Sequence, residues 1–425
     1  MAYLLFFLFG AGCCWFLPRS VFIRAAGLSN RTIVFLFLLK VAAGLVIGWL
    51  SLHFYSGGND YWDNNRAGWE EYRLIWSNPI EYFTNLFRSD YQNGYGGLFD
   101  SFSSFWNDLR NNLVLKLLSL FNLFSRGNYY INSLFFNYLV FFGHIALYRV
   151  FIKIYPGKKV SVIIGSFVLP SLLYFSSGIH RDGLVFLLLC SLFFCLYGIL
   201  KEKKTGGKRI VLALVSFLLL FLLRSYVALL LIPALSAWWL TEQRKWPAIS
   251  VFPVVYLFAA LILFNLNSIY LSFDPLRAIV KKQSDYLALP VARTSIPLDS
   301  LQPTFNSFLH NAPQAIGHVL FRPYPLETPS LILLPMNIEL LVYQFLLLLF
   351  VVATLRKWPP KPEPFVIFCL FFCITNFLFI GYIVPNFGTL VRYRSIYLPF
   401  IITPLLCNLN LKVRAVNLKL VNSII

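Results

Sequence analysis

Charged residues are scarce in this sequence of 425 amino acids, and acidic residues are the scarcest of them. Asp, Glu, Lys and Arg together make up 12% of the chain, whereas soluble globular domains contain roughly 25%. Hydrophobic residues account for 58%, and the mean hydropathy is +0.70. This composition excludes a soluble globular protein and predicts an all-α, polytopic integral membrane helix bundle.

Cysteines are absent from the polar segments of the chain. All of them lie in apolar runs, where cysteine behaves as a small core residue. We therefore predict neither disulfide bonds nor a cysteine metal site. The seven are Cys13, Cys14, Cys190, Cys195, Cys369, Cys373 and Cys407.

Apolar runs of a length suited to crossing a bilayer occur eleven times, so we predict about 11 transmembrane helices. The first run lacks the basic leader and the small-residue cleavage site of a secretory signal peptide, and we interpret it as a span. The predicted spans cover residues 3–17, 32–55, 129–152, 159–176, 183–200, 209–223, 226–240, 248–267, 331–355, 364–384 and 394–408.

Lys and Arg outnumber Asp and Glu by 36 to 17, and they concentrate in alternate loops. Segments such as "KIYPGKK", "KEKKTGGKR" and "RKWPPKPEP" are basic and poor in acids, which is typical of cytoplasmic loops. The intervening segments hold nearly all of the carboxylates and are predicted to face outside. This alternation predicts an N-terminus outside and a C-terminus inside. It also accounts for the net charge of +19 without nucleic acid as a partner.

Two predicted outer loops, 56–128 and 268–330, are long and are not of low complexity. In the first loop, Trp69, Tyr72 and Trp76 recur at near-helical spacing. We expect interfacial helices here, because aromatic side chains with a polar edge are favoured at the surface of membrane lipids. Since there is no internal repeat, we treat residues 1–425 as a single integral membrane domain with two outer elaborations.

The first candidate site is "GGNDYWDNN" (57–65), directly after a predicted span. It places Asp60 and Asp63 at the membrane surface, where one carboxylate can serve as a general base toward a sugar hydroxyl. The other can orient the acceptor or hold a divalent cation. The alternative interpretation is that both carboxylates only solvate a loop.

The second candidate is "SSGIHRDG" (176–183), which joins two spans through very few polar residues. His180, Arg181 and Asp182 must therefore lie at the outer membrane boundary, where ionisable groups are costly unless they are paired or functional. Pairing of Arg181 with Asp182, together with capping of the next helix by Asp182, would explain the acid. It explains the histidine and the arginine less well.

Arginines form the third candidate group, because the positive-inside rule disfavours them on the outer side. Arg392 and Arg394 stand at the entrance of the last span, Arg224 lies between two spans, and Arg322 lies in "LFRPYP". A guanidinium group offers a planar fork of donors suited to phosphate. We therefore predict that these arginines, with His180 and Arg181, bind the phosphate of a lipid-linked ligand.

These segments resemble the bacterial GT-C-type membrane glycosyltransferases and, more loosely, the polytopic polymerases and ligases of surface polysaccharides. The resemblance rests on "GGNDYWDNNRAGWEEY", "PSLLYFSSGIHRDGL", "LFRPYPLE" and "NFGTLVRYR". It covers most of the chain in layout, but only these patches in detail. It implies inverting transfer of a sugar from a polyprenyl-phosphate-linked donor on the periplasmic face of a bacterial inner membrane. The acceptor would be a lipid, a glycan or a protein.

Under this resemblance, Asp60 or Asp63 is the catalytic base, and Arg181, Arg392 and Arg394 bind the donor phosphate. The chain departs from the commonest first-loop pattern of the family, in which two acids are adjacent or separated by one residue. The choice between the two aspartates, and any role for a metal ion, therefore stays open.

Two other classes of function fit the same residues. One is a polysaccharide polymerase or ligase, which would also present arginines to its donor. The other is a transporter or flippase of a lipid-linked or anionic solute, which would use the arginines without chemistry. Transporters tend to carry ionisable residues near the bilayer midplane. The interiors of the predicted spans are nearly free of charge, which favours an enzyme.

Overall fold

The backbone of the protein is helical almost throughout the part that can be described. The computed structural model describes residues 1–54, 60–92, 94–97, 104–269, 274–290, 294–324, 327, 334–356 and 362–409. In these ranges there is no β-strand, only an isolated bridge between Ser295 and Asn386. The predicted all-helical membrane bundle is confirmed.

The helices are α1 Ala2–Phe16, α2 Val21–Arg24, α3 Asn30–Phe54, α4 Asp60–Ser77, α5 Pro79–Thr84, α6 Phe105–Ser125, α7 Tyr129–Ile154, α8 Lys159–Ile163, α9 Pro170–Phe175, α10 Arg181–Leu200, α11 Gly207–Leu223, α12 Ser225–Arg244, α13 Ala248–Ile269, α14 Pro275–Leu287, α15 Phe305–Phe321, α16 Leu334–Arg356, α17 Pro364–Ile383, α18 Phe387–Ser395 and α19 Leu398–Asn408.

Among the described residues, eight helices are long and apolar enough to cross a membrane, or nine if the bent pair α18 and α19 is one span. The sequence predicted eleven, and the difference lies in two segments. The predicted span 209–223 is α11, whose 17 residues lie at the lower limit of a membrane-crossing helix. The predicted span 159–176 is not one continuous helix.

A proline causes the break in that segment. After α8 the chain forms one π-helical turn, Ile164–Val168, and Leu169 then leaves the helical region with a ψ of 119°. Pro170 opens α9, because its missing N–H and fixed φ suit the first position of a helix but not its interior. The result is two short helices end to end. They pack against the other broken pair, α18 and α19, whose axes differ by 62°.

The centre of the bundle consists of α7, α10 and α17, the spans with the largest buried share. Small residues allow these helices to approach closely, as is common in membranes. A Cβ on Gly143 of α7 would lie 2.8 Å from the Cα of Leu187 in α10. At the periphery, α13 exposes Val254, Leu257 and Phe258, so it presents an apolar face outward.

The first predicted loop folds into α4, α5 and α6, which pack on one another. The apolar stretch 113–124 is the second half of the 21-residue α6. Lys116 of α6 holds the group together through Glu71, the carbonyl of Tyr82 and Asn85 Oδ1, the last at 2.6 Å. Gly57 and Gly58, which precede α4 in the sequence, lie outside the described residues.

The second predicted loop contributes α14 and α15, both of which pack on α17. Gln283 of α14 donates from Nε2 to the carbonyl of Tyr382 at 2.8 Å and accepts from the N–H of Leu301 at 2.8 Å. The polar helix α14 is thereby fixed beside the end of α17. All seven cysteines carry free thiols, and six are buried.

Candidate functional site

Asp182 is the centre of a buried ion network at the start of α10. Its side chain is 1% exposed and contacts three charged or ionisable groups. One carboxylate oxygen, Oδ1, accepts a hydrogen bond from Arg224 Nη2. The other, Oδ2, lies 2.9 Å from His180 Nδ1 and 3.4 Å from Arg392 Nε. The predicted pairing of Asp182 with Arg181 is therefore replaced by pairing with two arginines from other elements.

His180 Nδ1 contacts Asp182 at two atoms: Oδ2 lies 2.9 Å away, and the backbone N–H of Asp182 donates to Nδ1 at 3.4 Å. The other ring nitrogen is left for a different partner. That nitrogen, Nε2, lies 3.8 Å from Asp60 Oδ2. Burial lowers the pKa of His180, whereas the adjacent Asp182 acts in the opposite direction. Tyr61 packs edge-on against the imidazole, with 6.0 Å between the ring centroids.

The two aspartates of α4 have different partners, although residues three apart are neighbours on a helix surface. Asp60 Oδ2 lies 3.4 Å from Arg392 Nη1, and its side chain is 60% exposed. One turn later, Asn64 donates to the carbonyl of Ile179 at 3.2 Å, so this face of α4 lies on the turn that carries His180. Asp63 is three residues from Asp60 and pairs with Arg66 on the exposed side of the helix. Only Asp60 therefore borders the Asp182 network.

Two residues that sequence reasoning missed extend the network: Arg110 of α6 and Lys282 of α14. Burial and the positive charges of Arg181 and Arg224 lower the pKa of Arg110 to about 10. Burial lowers the pKa of Lys282 to about 8, and the charges of Arg110 and Arg181 act in the same direction. These cations are thus close enough to repel one another.

We call this group the Asp182 site. Its five cations come from five separate parts of the chain, and three carboxylates, those of Asp60, Asp182 and Asp285, lie among them. The cations are Arg110, Arg181, Arg224, Lys282 and Arg392.

Tyrosines separate the arginines of the Asp182 site. The guanidinium carbon of Arg224 lies 4.2 Å from the ring centroid of Tyr393, and that of Arg392 lies 5.5 Å from the same centroid. Arg224 Nη1 also donates to Tyr226 Oη at 3.0 Å, and the hydroxyls of Tyr286 and Tyr393 lie 3.0 Å apart. Aromatic faces stabilise cations in this arrangement, so the arginines are held apart with their positions fixed.

Two of the arginines predicted to bind phosphate have a different set of partners. Arg394 is 2% exposed and donates from Nη1 to the carbonyls of Val319 at 2.6 Å and Arg322 at 2.9 Å. Arg322 Nε lies 3.6 Å from a carboxylate oxygen of Glu327. Arg394 therefore joins α18 to the end of α15, whereas Arg392 belongs to the Asp182 site.

Ionisable residues also lie inside three spans, which corrects the expectation that their interiors are nearly free of charge. Lys40 of α3 is 1% exposed, His144 of α7 is 0% exposed and Glu339 of α16 is 5% exposed. His144 Nδ1 lies 2.6 Å from the carbonyl of Ser166 in the π-helical turn. Each stands alone in a long apolar run, so the sequence gives no indication of a partner.

The Asp182 site has the chemistry of an anion site beside an exposed carboxylate. Guanidinium groups bind phosphate through paired donors, and Asp60 is placed to contact whatever binds Arg392. Asp60 and Asp63 have different ion-pair partners, Arg392 and Arg66. Within the described ranges, no cluster of three or more His, Cys, Asp or Glu side chains could hold a metal ion.

Comparisons with known proteins found no matching family model, no similar curated protein and no similar solved structure.

Proposed function

We propose that this protein is a membrane glycosyltransferase that binds a polyprenyl-phosphate-linked sugar at the Asp182 site and transfers the sugar to an acceptor hydroxyl. The observation that carries the proposal is the convergence of Arg224 and Arg392 on one buried carboxylate, Asp182, with a second carboxylate, Asp60, exposed at the edge. The charges of Arg110, Arg181 and Lys282 act on the same group of residues. The polyprenyl chain, the sugar and the periplasmic location come from the sequence resemblance.

The charge balance favours an anionic ligand. Cations that lower one another's pKa destabilise the unliganded protein, since like charges at short range repel strongly in a low-dielectric environment. A phosphate at this site would add negative charge to a group in which five cations accompany three carboxylates. Arg224 and Arg392 are already paired with Asp182, so they are oriented before the ligand arrives and need little rearrangement.

The position of the site favours a ligand with an apolar tail. Asp182 lies in the first turn of a span, Arg224 lies between α11 and α12, and Arg392 lies in the bent pair of α18 and α19. Beyond their first turns, α10 and α11 are apolar. A phosphate bound here would leave an attached hydrocarbon chain beside the lipid-facing helices.

In the proposed reaction, Asp60 accepts the proton of the acceptor hydroxyl as the oxygen attacks the anomeric carbon. The bond between that carbon and the phosphate oxygen breaks, and the phosphate leaves with the electron pair. Arg392 and Arg224 stabilise the charge that develops on the phosphate. Binding of phosphate to Arg392 also draws the guanidinium away from Asp60, which leaves the carboxylate available as a base.

One observation supports a second candidate function, a transporter or flippase of a lipid-linked anion. The structure contains two broken helix pairs that pack together, with Lys40 and Glu339 buried beside them. Broken helices and intramembrane charges are typical of transporters. This candidate shares the Asp182 site but gives Asp60 no chemical role.

The decisive experiment separates binding from transfer. The full-length protein in nanodiscs is titrated with farnesyl phosphate, and farnesol is the matched compound without phosphate. Transfer is followed by mass spectrometry as the release of polyprenyl phosphate from a bacterial extract of lipid-linked sugars. We expect binding of farnesyl phosphate, no comparable binding of farnesol, and phosphate-lipid release by the parent. Binding without any release would favour the transporter, and no preference for farnesyl phosphate would overturn both functions.

A further inference from the structure

The six-residue helix α9 has a charged side chain from another helix at each end. At its start, Glu339 Oε2 of α16 accepts a hydrogen bond from the N–H of Ser171 at 2.8 Å. That N–H is one of the amides that the first turn of a helix leaves without an internal partner. Tyr343, one turn along α16, donates its hydroxyl to the other oxygen of Glu339 and so orients the carboxylate.

At the other end of α9, Lys40 of α3 holds the residues that follow the helix. Its ammonium donates to Ser176 Oγ at 2.8 Å, to the carbonyl of Ser176 at 3.2 Å and to Ser177 Oγ at 3.2 Å. Three donors are all that an ammonium group has, so Lys40 is fully engaged with two consecutive residues. A carboxylate at the start and an ammonium at the end match the partial charges of the two helix termini.

The turn after α9 leads directly into the Asp182 site, and side chains of other helices hold its carbonyls. Asn137 of α7 donates to the carbonyl of Ser177 at 3.0 Å, and Asn64 of α4 donates to that of Ile179 at 3.2 Å. Gly178, between them, lies against the ring of Tyr61 so closely that a Cβ would collide with it. Lys40, Asn137 and Asn64 therefore define the path of the chain to His180.

Burial of Lys40 and Glu339 within spans is costly, and ionisable residues in such positions are generally retained for function. Lys40 lies four residues from Gly44, whose absent side chain makes room for Asn137 and Ser177. The contacts of the two charged residues thus share one outcome, which is the placement of α9 and the turn after it. The proline break at α9 makes this placement necessary, since no continuous helix fixes the direction of the segment.

We propose that Lys40 and Glu339 are positioning residues of the Asp182 site: they hold the two ends of α9 and thereby fix the orientation of His180 and Asp182 toward the ligand. This inference rests on the proposed function, because it assigns the two residues to the binding of the same phosphate. Neither residue touches the ligand, and both act through the turn at residues 176–180.

Two substitutions test the inference with readouts that stability alone would not change. Lys40→Met keeps the length of the side chain and removes all three donors. Glu339→Gln keeps an acceptor for Ser171 and removes the charge, so it serves as the milder variant if Lys40→Met does not fold. Lys153→Met is the matched control, because Lys153 pairs with Glu202 near the far end of α7. The readouts are the affinity for farnesyl phosphate in nanodiscs and the histidine ring resonances of selectively labelled protein.

We expect Lys40→Met to weaken binding of farnesyl phosphate by about tenfold, as is typical when the groups that orient ligand-binding residues are removed. Glu339→Gln should weaken binding severalfold. In both variants the His180 resonance, assigned by its loss in His180→Gln, should shift, whereas Lys153→Met should leave affinity and spectrum unchanged.

The possible outcomes separate the positioning role of Lys40 and Glu339 from the proposed function of the Asp182 site. A parent protein that does not prefer farnesyl phosphate over farnesol would overturn the proposed function, and the assignment of these residues to a phosphate site with it. A parent that binds, with unchanged affinity and an unchanged His180 resonance in the folded variants, would overturn the inference alone. Weaker binding with an unchanged His180 resonance would also overturn it, because the effect would not pass through the turn.

Discussion

Arg392 and Arg394 lie two residues apart on α18, yet they belong to two different regions of the molecule. Arg392 contacts two carboxylates, is 20% exposed and borders the Asp182 site. Arg394 is buried and donates hydrogen bonds to the carbonyls at the end of α15. The first region brings together charged side chains from separate elements, whereas the second joins two helices through backbone groups. Residue type and closeness in sequence therefore do not distinguish an arginine that borders the Asp182 site from one that joins two helices.

The aspartates of α4 offer the strongest test of this difference. Asp60→Asn should reduce release of polyprenyl phosphate by about 10²–10⁴-fold, as expected for the loss of a general base. Asp63→Asn, which removes only an exposed pair with Arg66, should retain nearly parental turnover. Affinity for farnesyl phosphate should survive in both. Equal losses in the two variants would show that the orientation of α4 does not select the base.

The arginines of α18 should separate binding from stability. Arg392→Ala should weaken farnesyl phosphate binding by roughly 10- to 100-fold, and Arg392→Lys should restore only part of it, because lysine keeps the charge but loses the fork. Arg394→Ala should instead lower the melting temperature, since the carbonyls of Val319 and Arg322 lose a charged donor worth about 1.5–3 kcal/mol per hydrogen bond. Arg66→Ala is the matched control for both measurements. The comparison fails if Arg394→Ala weakens binding at unchanged stability.

The smallest expected effect is a change of ligand affinity with pH, and it concerns Lys282 of the Asp182 site. Its pKa of about 8 means that the side chain is positive below that pH and loses its charge above it. Affinity for farnesyl phosphate should therefore fall severalfold between pH 7 and 9, a range in which a phosphate monoester is already doubly ionised, its second pKa being about 6. The groups that face Lys282 are Tyr393, Arg110, Arg181 and Asp285.

Lys282→Arg supplies the control for this titration, because arginine remains charged throughout the range. The variant should bind with a flat pH profile. A decline of the same size in Lys282→Arg would assign the titration to another group.

Much of the architecture could be predicted from the sequence, because the length of an apolar run indicates whether it can span a membrane. Helix α11 and the broken segment 159–175 show the limit of this reasoning. Apolar content alone does not reveal that Pro170 starts a new helix rather than bending an existing one. The contacts of Asp182 with Arg224 likewise depend on which spans are neighbours, and the order of hydrophobic runs does not contain that information.

The Asp182 site could be predicted only in the parts that lie next to spans. Asp60, His180, Asp182 and Arg392 were recognisable because charged groups at a membrane boundary require an explanation. Arg110 was not, because it lies in an amphipathic helix whose docking partner cannot be read from periodicity. Lys282 could not be predicted for the same reason, since α14 is also an amphipathic helix.

The attachment of α4 has a consequence for how this segment tolerates change. Asn64 fixes the rotation of the helix, and each residue added between it and Asp60 would turn the aspartate by about 100°. One alanine inserted between Tyr61 and Asn64 would bring Tyr61 to the place of Asp60 and leave the net charge unchanged. The angle of an aspartate around the helix axis thus decides whether it borders the Asp182 site. In this segment a single-residue insertion should be more damaging than several point substitutions.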